Sequence, residues 1–185
     1  IMKKYLFFIT LLISTTVFAS DVSINVGHSG APNGFADIAS NEFKRLVEKR
    51  SNGRIAVSVY PSGQLGGERE LVEAAQLGTV DMAVVLAGIL ESFEPKFGVL
   101  NLPYLFDGRQ HVFKVFDGKV GRQLMNLLDK HNLKGYAFGE FGFRSMMIGP
   151  RAVYNPSDVN GLKFRVPESD IYISMYKSLG ATPVP

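Results

Sequence analysis

The 185-residue sequence contains no cysteine and no tryptophan, and it has only three histidines. Without cysteine the chain has no disulfides and no thiolate chemistry, so its core must be stable through packing alone. His28, His111 and His131 fall on different predicted elements, with no HxxxH pair and no carboxylate cluster beside them. A metal site needs such a cluster. We therefore predict neither a metal nor a cofactor.

The motifs of serine hydrolases and of nucleotide-binding proteins are missing as well. In Gly27-His28-Ser29-Gly30 the second glycine comes one position too early for the GxSxG turn that holds a serine nucleophile. The loop GHSGAPNG is not GxGxxG, and no GK[ST] occurs in the chain. This loop and GQLGGERE both lead into predicted helices, where backbone N–H groups could hold an anion or simply form a turn. The residues favour neither interpretation.

The charge balance argues against nucleic acid as a partner. The chain has 20 Lys and Arg residues against 17 Asp and Glu residues, and two of the cations are Lys3 and Lys4. That basic start, an apolar run from Tyr5 to Val17 and the small residue Ala19 are typical of a cleavable secretory signal peptide. The run is shorter than the ~20 residues of a membrane-spanning helix. Without residues 1–19 the chain is nearly neutral.

What the sequence does contain is an alternation of strand and helix patterns. Strands are predicted near Val22 to Val26 and over residues 54–60, and a nearly continuous apolar strand over residues 80–88. Helical spacing of apolar residues predicts helices that begin near Phe35 and Gly67. Such an alternation is typical of a parallel sheet covered by helices. The predicted fold class is α/β.

The second half of the chain is less regular. Helices are predicted near residues 108–117 and 119–131. The segment from Leu133 to Met147 is long, aromatic and interrupted by glycine, and we interpret it as a crossing into a second sheet. The chain stops at ATPVP, which has the pattern of the beginning of a further strand. We expect the sequence to be an amino-terminal fragment of a longer protein.

Two arginines stand in apolar, strand-like settings. In GLKFRVPESD, residues 161–170, Phe164 and Val166 share one face of a short strand and Arg165 lies on the other. Arg144 occupies a similar place in GEFGFRSMM. An unpaired guanidinium in such a setting is costly. From residue pattern alone, a salt bridge or a solvated strand end is slightly favoured over a ligand contact.

Three blocks of sequence carry more specific information, namely GRIAVSVYPSGQLGGERELVEAAQLGTVDMAVV, LNLPYLF and PSDVNGLKFRVPESDIYISMYKSLGATPVP. Together they resemble the extracytoplasmic solute-binding proteins of TRAP (tripartite ATP-independent periplasmic) transporters. The resemblance implies a two-lobe periplasmic binding protein of type II-like fold, with the ligand enclosed between lobes. With the signal peptide at 1–19, we therefore expect a first lobe at 20–136 and a crossing segment with an incomplete second lobe at 137–185.

The resemblance also implies roles for individual residues. In the family, the arginine of the strand that matches KFRVP makes a two-pronged contact with the carboxylate of an organic acid. This role falls on Arg165 and, less directly, on Arg144. Positions that line the cleft in relatives match a first-lobe set of residues: His28, Ser29, Glu68 and the stretch from Leu86 to Ile89. Because that stretch is apolar or lacks side chains, it favours a smaller or more apolar acid over a heavily hydroxylated one.

The resulting hypothesis is a periplasmic binding protein, not an enzyme and not itself transmembrane. It captures an organic acid and delivers it to the membrane subunits of a TRAP permease. The alternative is a ligand sensor or an enzyme on the same type of fold. An enzyme would need an acid, base or nucleophile near the arginines. Glu140 is one candidate, and we interpret it as a hinge or surface carboxylate.

Overall fold

The structure of the chain is a computed structural model that describes residues 20–149 and 152–185. The predicted signal peptide, residues 1–19, lies outside this part. Strands and helices follow one another in this order: β1 (Val22–His28), α1 (Phe35–Arg50), β2 (Ile55–Tyr60), α2 (Glu68–Gln76), β3 (Met82–Val84), α3 (Arg109–Phe116), α4 (Lys119–Leu127), β4 (Lys163–Arg165), α5 (Asp170–Ser178) and β5 (Thr182–Val184). The fold is α/β, as the alternation predicts.

The first sheet has three parallel strands in the order β2-β1-β3. β1 is the central strand, and its Ile24 pairs with Val57 of β2 while its Gly27 pairs with Ala83 of β3. Val26 and Val57 are almost completely buried, because parallel strands are covered on their faces by the helices that connect them. The carboxyl ends of all three strands therefore meet at one edge.

The third strand is much shorter than the apolar sequence predicts. It ends at Val84, and a 3₁₀ helix, Ala87–Ser92, begins three residues later. The N–H of Leu86 donates to the side chain of Glu68 at 3.3 Å instead of extending the ladder. A side chain that takes a backbone donor competes with regular structure. The strand prediction for residues 80–88 was therefore right in kind and wrong in length.

The rest of the first unit is helical. A second 3₁₀ helix, Pro95–Asn101, precedes α3 and α4, and the predicted helix over 119–131 ends as a 3₁₀ turn, Leu128–His131. These elements and α2 share one hydrophobic core, whose buried members are Val72, Leu90, Phe97, Leu124 and Leu128. Packing in this core holds these helices against α2.

A second, smaller unit follows. β4 and β5 pair in parallel, with Arg165 opposite Val184, and α5 connects them. Ser169 caps α5 by accepting from the N–H of Tyr172 at 3.4 Å, and serine is a preferred residue at this position of a helix. A separate core packs around this helix and consists of Val159, Phe164, Val166, Tyr176 and Ala181. The two units thus have distinct cores.

Residues 133–149 connect the units and form neither helix nor strand. The ring of Phe138 stacks on Phe116 at 4.4 Å, and Phe141 meets Phe35 edge to face at 5.6 Å. The early part of this segment is therefore packed against the first unit. No helix in the described part of the chain is both long and apolar enough to span a bilayer.

Candidate functional site

The strand order of the first sheet creates a crevice between the ends of β1 and β3. From β1 the chain proceeds to β2 on one side, and it then returns to β3 on the other side. Open α/β sheets bind ligands outside the carboxyl ends of the strands at such a reversal of order. Ser29 directly follows β1, and Leu86 follows β3 by two residues. We call this position the first-sheet edge.

Glu68, the first residue of α2, joins the two sides of this edge. Its Oε1 accepts from the hydroxyl of Ser29 at 2.9 Å, and its Oε2 accepts from the backbone N–H of Leu86 at 3.3 Å. Three of the residues implied by the resemblance thus form one hydrogen-bonded cluster. Ser29 is exposed and Glu68 partly exposed, so the cluster is open to a ligand.

A glycine in β1 brings α2 close enough for this contact. A Cβ added at Gly27 would lie 2.5 Å from Cδ2 of Leu71. Leu71 is completely buried on α2, so it has little room to retreat. Because residues three apart share a face of a helix, the close approach of Leu71 to the strand also carries Glu68 toward Ser29.

His28 is placed beside this cluster, but it is not exposed to solvent. It is 0% exposed, and its Nε2 lies 3.5 Å from Oδ1 of Asp37. Asp37 also accepts from the N–H of Asn33 at 2.8 Å and from the side chain of Asn41 at 3.0 Å. Asp37 therefore supports the loop that follows β1, with the buried His28 ring beside it.

Ile89 is likewise buried, with 8% of its side chain exposed. It lies on the 3₁₀ helix Ala87–Ser92, after the turn that presents Leu86. The structure thus separates the resemblance-based residues into two groups. Ser29, Glu68 and Leu86 meet at the edge, whereas His28 and Ile89 lie in the supporting interior.

Arg165 ends β4 at the carboxyl edge of the second sheet. It is exposed, while its neighbours Phe164 and Val166 are buried at 7% and 1% exposure, so the predicted alternation is confirmed. Within residues 20–149 and 152–185 its guanidinium has neither an ion pair nor a hydrogen bond. Of the two interpretations that residue pattern alone favoured, the salt bridge is not present among these residues, whereas the exposed position of Arg165 agrees with a solvated strand end.

Arg144 has a different environment. Its guanidinium carbon lies 5.0 Å from the centre of the Tyr172 ring, a cation–π contact with α5. Burial raises the pKa of the Tyr176 phenol, and the nearby charge of Arg144 opposes that rise. Arg144 therefore attaches the end of the connecting segment to the second unit.

A buried polar cluster that sequence reasoning did not reveal joins the two units. The side-chain amide of Asn101 donates to Glu91 Oε2 at 2.7 Å and to Ser169 Oγ at 3.0 Å. The Ser169 hydroxyl donates to the same Glu91 oxygen at 2.5 Å. We call these three residues the interdomain node. Since Ser169 follows Arg165 by four residues, the node anchors the turn that leads away from the arginine.

The connecting segment changes partners within a few residues. Glu140 Oε2 forms an ion pair with Arg109 Nε of α3 at 3.0 Å, which ties it to the first unit, whereas Arg144 contacts α5. Between them Gly142 has φ of 103°, a conformation that favours glycine. Glu140 is thus occupied by a structural ion pair.

Among the described residues no metal centre is found at this edge, and two cavities lie elsewhere, along α5. In the described ranges no group of three His, Cys, Asp or Glu side chains could hold a metal ion. Two shallow cavities, of about 490 and 350 Å³, lie along α5, and their linings include neither Arg165 nor Ser29. The second borders the interdomain node through Glu91 and Ser169.

Comparison with known proteins adds a family relationship. The family described as "Bacterial extracellular solute-binding protein, family 7" matches residues 26–185. The C4-dicarboxylate-binding protein DctB of Bacillus subtilis is 36% identical over 156 residues, which cover 84% of this chain and 45% of that protein.

Two solved structures extend the comparison. A TRAP periplasmic solute-binding protein from Polaromonas, bound to D-erythronate, is 34% identical with a TM-score of 0.85, over 89% of this chain and 54% of that one. Another from Sulfurospirillum deleyianum, with bound succinate, is 28% identical with a TM-score of 0.85, over 89% and 53%. The chain spans about half the length of the curated relatives it matches.

Proposed function

The chain belongs to family 7 of the bacterial extracellular solute-binding proteins, and we propose that the complete protein captures an organic acid for delivery to a TRAP permease. Proteins of this family are binding proteins, not enzymes. Its relatives include a protein named for binding C4-dicarboxylates and a solved structure named as a sugar acid binding protein. The proposal therefore concerns a small carboxylate ligand and the membrane subunits that receive it.

The observation that carries the proposal is the guanidinium of Arg165, which has no partner among the described residues. It is exposed at the carboxyl end of a short strand whose neighbouring side chains are buried. Guanidinium presents parallel donors that match a planar carboxylate, and it stays charged at every relevant pH. Arg165 is accordingly the proposed anchor, with Arg144 as a second cation on the same unit.

Affinity requires contacts from the first unit as well. Two charge-assisted hydrogen bonds contribute about 1.5–3 kcal/mol each, whereas a micromolar ligand needs about 8 kcal/mol. Ser29 and Glu68 at the first-sheet edge are proposed to supply contacts when the lobes close, with His28 and Ile89 as support for that edge. Closure is favoured because the ligand touches both lobes only in the closed state.

The proposed organisation follows the sequence boundaries. Residues 20–136 form the first lobe, and residues 137–185 form the crossing segment and the start of the second lobe. Residues 1–19 act as a cleavable signal that exports the protein to the periplasm. The alternative of an enzyme gains no support from Glu140, since that carboxylate is paired with Arg109.

A thermal-shift screen of the full-length protein against carboxylic acids tests the proposal. A ligand present at 100 times its dissociation constant adds about 2.7 kcal/mol to the free energy of unfolding, which raises the melting temperature by several degrees. Nucleotides and neutral sugars serve as controls. The proposal is wrong if no acid raises the melting temperature, or if only a control compound does.

A further inference from the structure

At the first-sheet edge, the hydrogen-bond donors of Ser29 and Leu86 are both bound to the carboxylate of Glu68. The Ser29 hydroxyl donates to Glu68 Oε1, and the Leu86 N–H donates to Glu68 Oε2. A serine hydroxyl has one proton to donate, and a carboxylate has none. What this cluster can still offer to a ligand is therefore a set of lone pairs on the oxygens of Ser29 and Glu68.

The charge of Glu68 is also not neutralised locally. In the part of the chain that the structure describes, Glu68 has no ion pair. The adjacent Arg69 instead binds Glu73, with Nε to Oε1 at 3.1 Å, and lies 5.7 Å from the ring centre of Phe93. A ligand carboxylate placed against Glu68 and Ser29 would meet a like charge and no free donor on either side chain.

Resting on the proposed function, we propose that the end of the ligand remote from Arg165 carries hydrogen-bond donors and not a second carboxylate. Hydroxyl and ammonium groups both have this chemistry. The apolar sequence from Leu86 to Ile89 favoured a more apolar acid. In the structure, however, Ile89 is buried and the N–H of Leu86 donates to Glu68. The polar atoms that remain for a ligand are therefore the oxygens of Ser29 and Glu68.

The first test is a calorimetric titration of the full-length protein with acids matched in carbon number. For four carbons these are D-erythronate with hydroxyl donors, 4-aminobutanoate with an ammonium donor, and succinate with a second carboxylate. Five- and six-carbon sets follow the same scheme. We expect the tightest acid to be a donor-bearing one, at least about tenfold tighter than the dicarboxylate of equal length, or about 1.4 kcal/mol.

Each possible result of these titrations either supports or contradicts the inference. If the tightest ligand is a hydroxylated acid or an amino-substituted acid, the inference is supported. The identity of that ligand then shows which donor group the site binds. A dicarboxylate as the tightest ligand overturns the inference but leaves the proposed function standing. If none of the acids binds, the proposed function is wrong and the inference is wrong with it.

The second test changes the charge of the edge. Glu68→Gln keeps the size of the side chain and replaces one acceptor oxygen by a donor NH₂. We expect the affinity ratio of donor-bearing acid to dicarboxylate to shift by about tenfold toward the dicarboxylate, about 1.4 kcal/mol. Glu73→Gln is the matched control, because Glu73 lies on the same helix and pairs with Arg69 at the surface. An unchanged ratio in Glu68→Gln contradicts the inference.

Discussion

Ser29, Glu68 and Leu86 at the edge of the first sheet are bonded to one another, whereas Arg165 at the edge of the second sheet has no bonded partner among the described residues. Both positions follow the carboxyl ends of parallel strands. The first edge is held in place before a ligand arrives and presents acceptors. The second presents a bare cation, so we expect it to contribute most of the anchoring free energy.

The largest expected effect is the loss of that cation. Arg165→Ala should weaken acid binding by about 100-fold or more, because two charge-assisted bonds of about 1.5–3 kcal/mol each disappear. Arg165→Lys should lose nearly as much, since lysine keeps the charge but not the planar fork. Calorimetric titration of the full-length protein with the acid found in the screen measures both.

Lys163→Ala is the control for this prediction. Lys163 is exposed on the same face of the same strand, two residues before Arg165. The Lys163→Ala variant should keep the affinity for the acid within about threefold of the wild-type value, because an exposed charge without a fixed geometry contributes little. Full affinity in Arg165→Lys would show that the edge acts as a point charge and not as a two-pronged clamp.

Local pattern predicted the elements on both edges well. Apolar alternation placed Phe164 and Val166 inside and Arg165 outside, and strand-helix alternation predicted β1, α1, β2 and α2. These features depend on neighbours a few residues apart, which periodicity records directly.

Contacts between distant residues could not be predicted in that way. β3 ends early because Leu86 bonds to Glu68, 18 residues away, and Ser169 meets Glu91 across 78 residues. The burial of His28 and Ile89 was also missed, since the family resemblance implies that a position is near the cleft but does not report its exposure.

Glu94 in the first unit is a charged side chain with bonded partners, whereas Arg165 has none among the described residues. The side chain of Glu94 is 3% exposed and bonds to Lys130 at 2.5 Å and to His131 at 3.2 Å. These hydrogen bonds, first from Lys130 and then from His131, lower the pKa of Glu94 from 4.5 to about 2. Because the folded-state pKa is depressed, the pairing stabilises the protein above pH 4.5 and loses its effect as pH falls toward about 2.

Glu94→Gln should therefore lower the melting temperature most at neutral pH, with the difference from wild type shrinking as the pH falls below about 4.5. Thermal unfolding of both full-length proteins over that pH range measures the difference. Glu42→Gln removes an exposed carboxylate paired with Arg45 at 2.6 Å and should have a much smaller effect. A difference that is constant with pH would contradict a structural role for the ionised Glu94.

A substitution at Gly27 should disturb the packing between β1 and α2 that positions the first-sheet edge. Gly27→Ala places a methyl group against the buried Leu71, and overpacking of this kind costs about 1–3 kcal/mol. Gly108→Ser is the control, because a Cβ at Gly108 meets nothing within 4 Å and serine is a good N-cap for α3. Urea unfolding of the full-length variants measures the change. Equal stability of the two variants would mean that α2 is free to move away from β1.

The smallest effect is expected at the interdomain node, which connects the two edges. Ser169→Ala removes the cap of α5 and the hydroxyl that bonds to Glu91, a loss of about 1 kcal/mol. The turn from Arg165 to Ser169 then loses its attachment to the first unit, so acid affinity should fall by about fivefold. Ser178→Ala is the control: among the described residues the Ser178 hydroxyl donates to the carbonyl of Met175 within α5, so its loss should leave affinity unchanged.

The chain itself offers a readout that separates positioning by Ser169 from simple loss of stability. Because it contains no cysteine, a pair of cysteines introduced for spin labels at Lys44 on α1 and Lys177 on α5 is unique within these residues. A positioning role predicts that Ser169→Ala broadens the distance distribution between the labels in ligand-free full-length protein, while Ser178→Ala does not. A lower melting temperature with an unchanged distribution would mean that Ser169 only caps its helix, and that the two edges are aligned by other contacts.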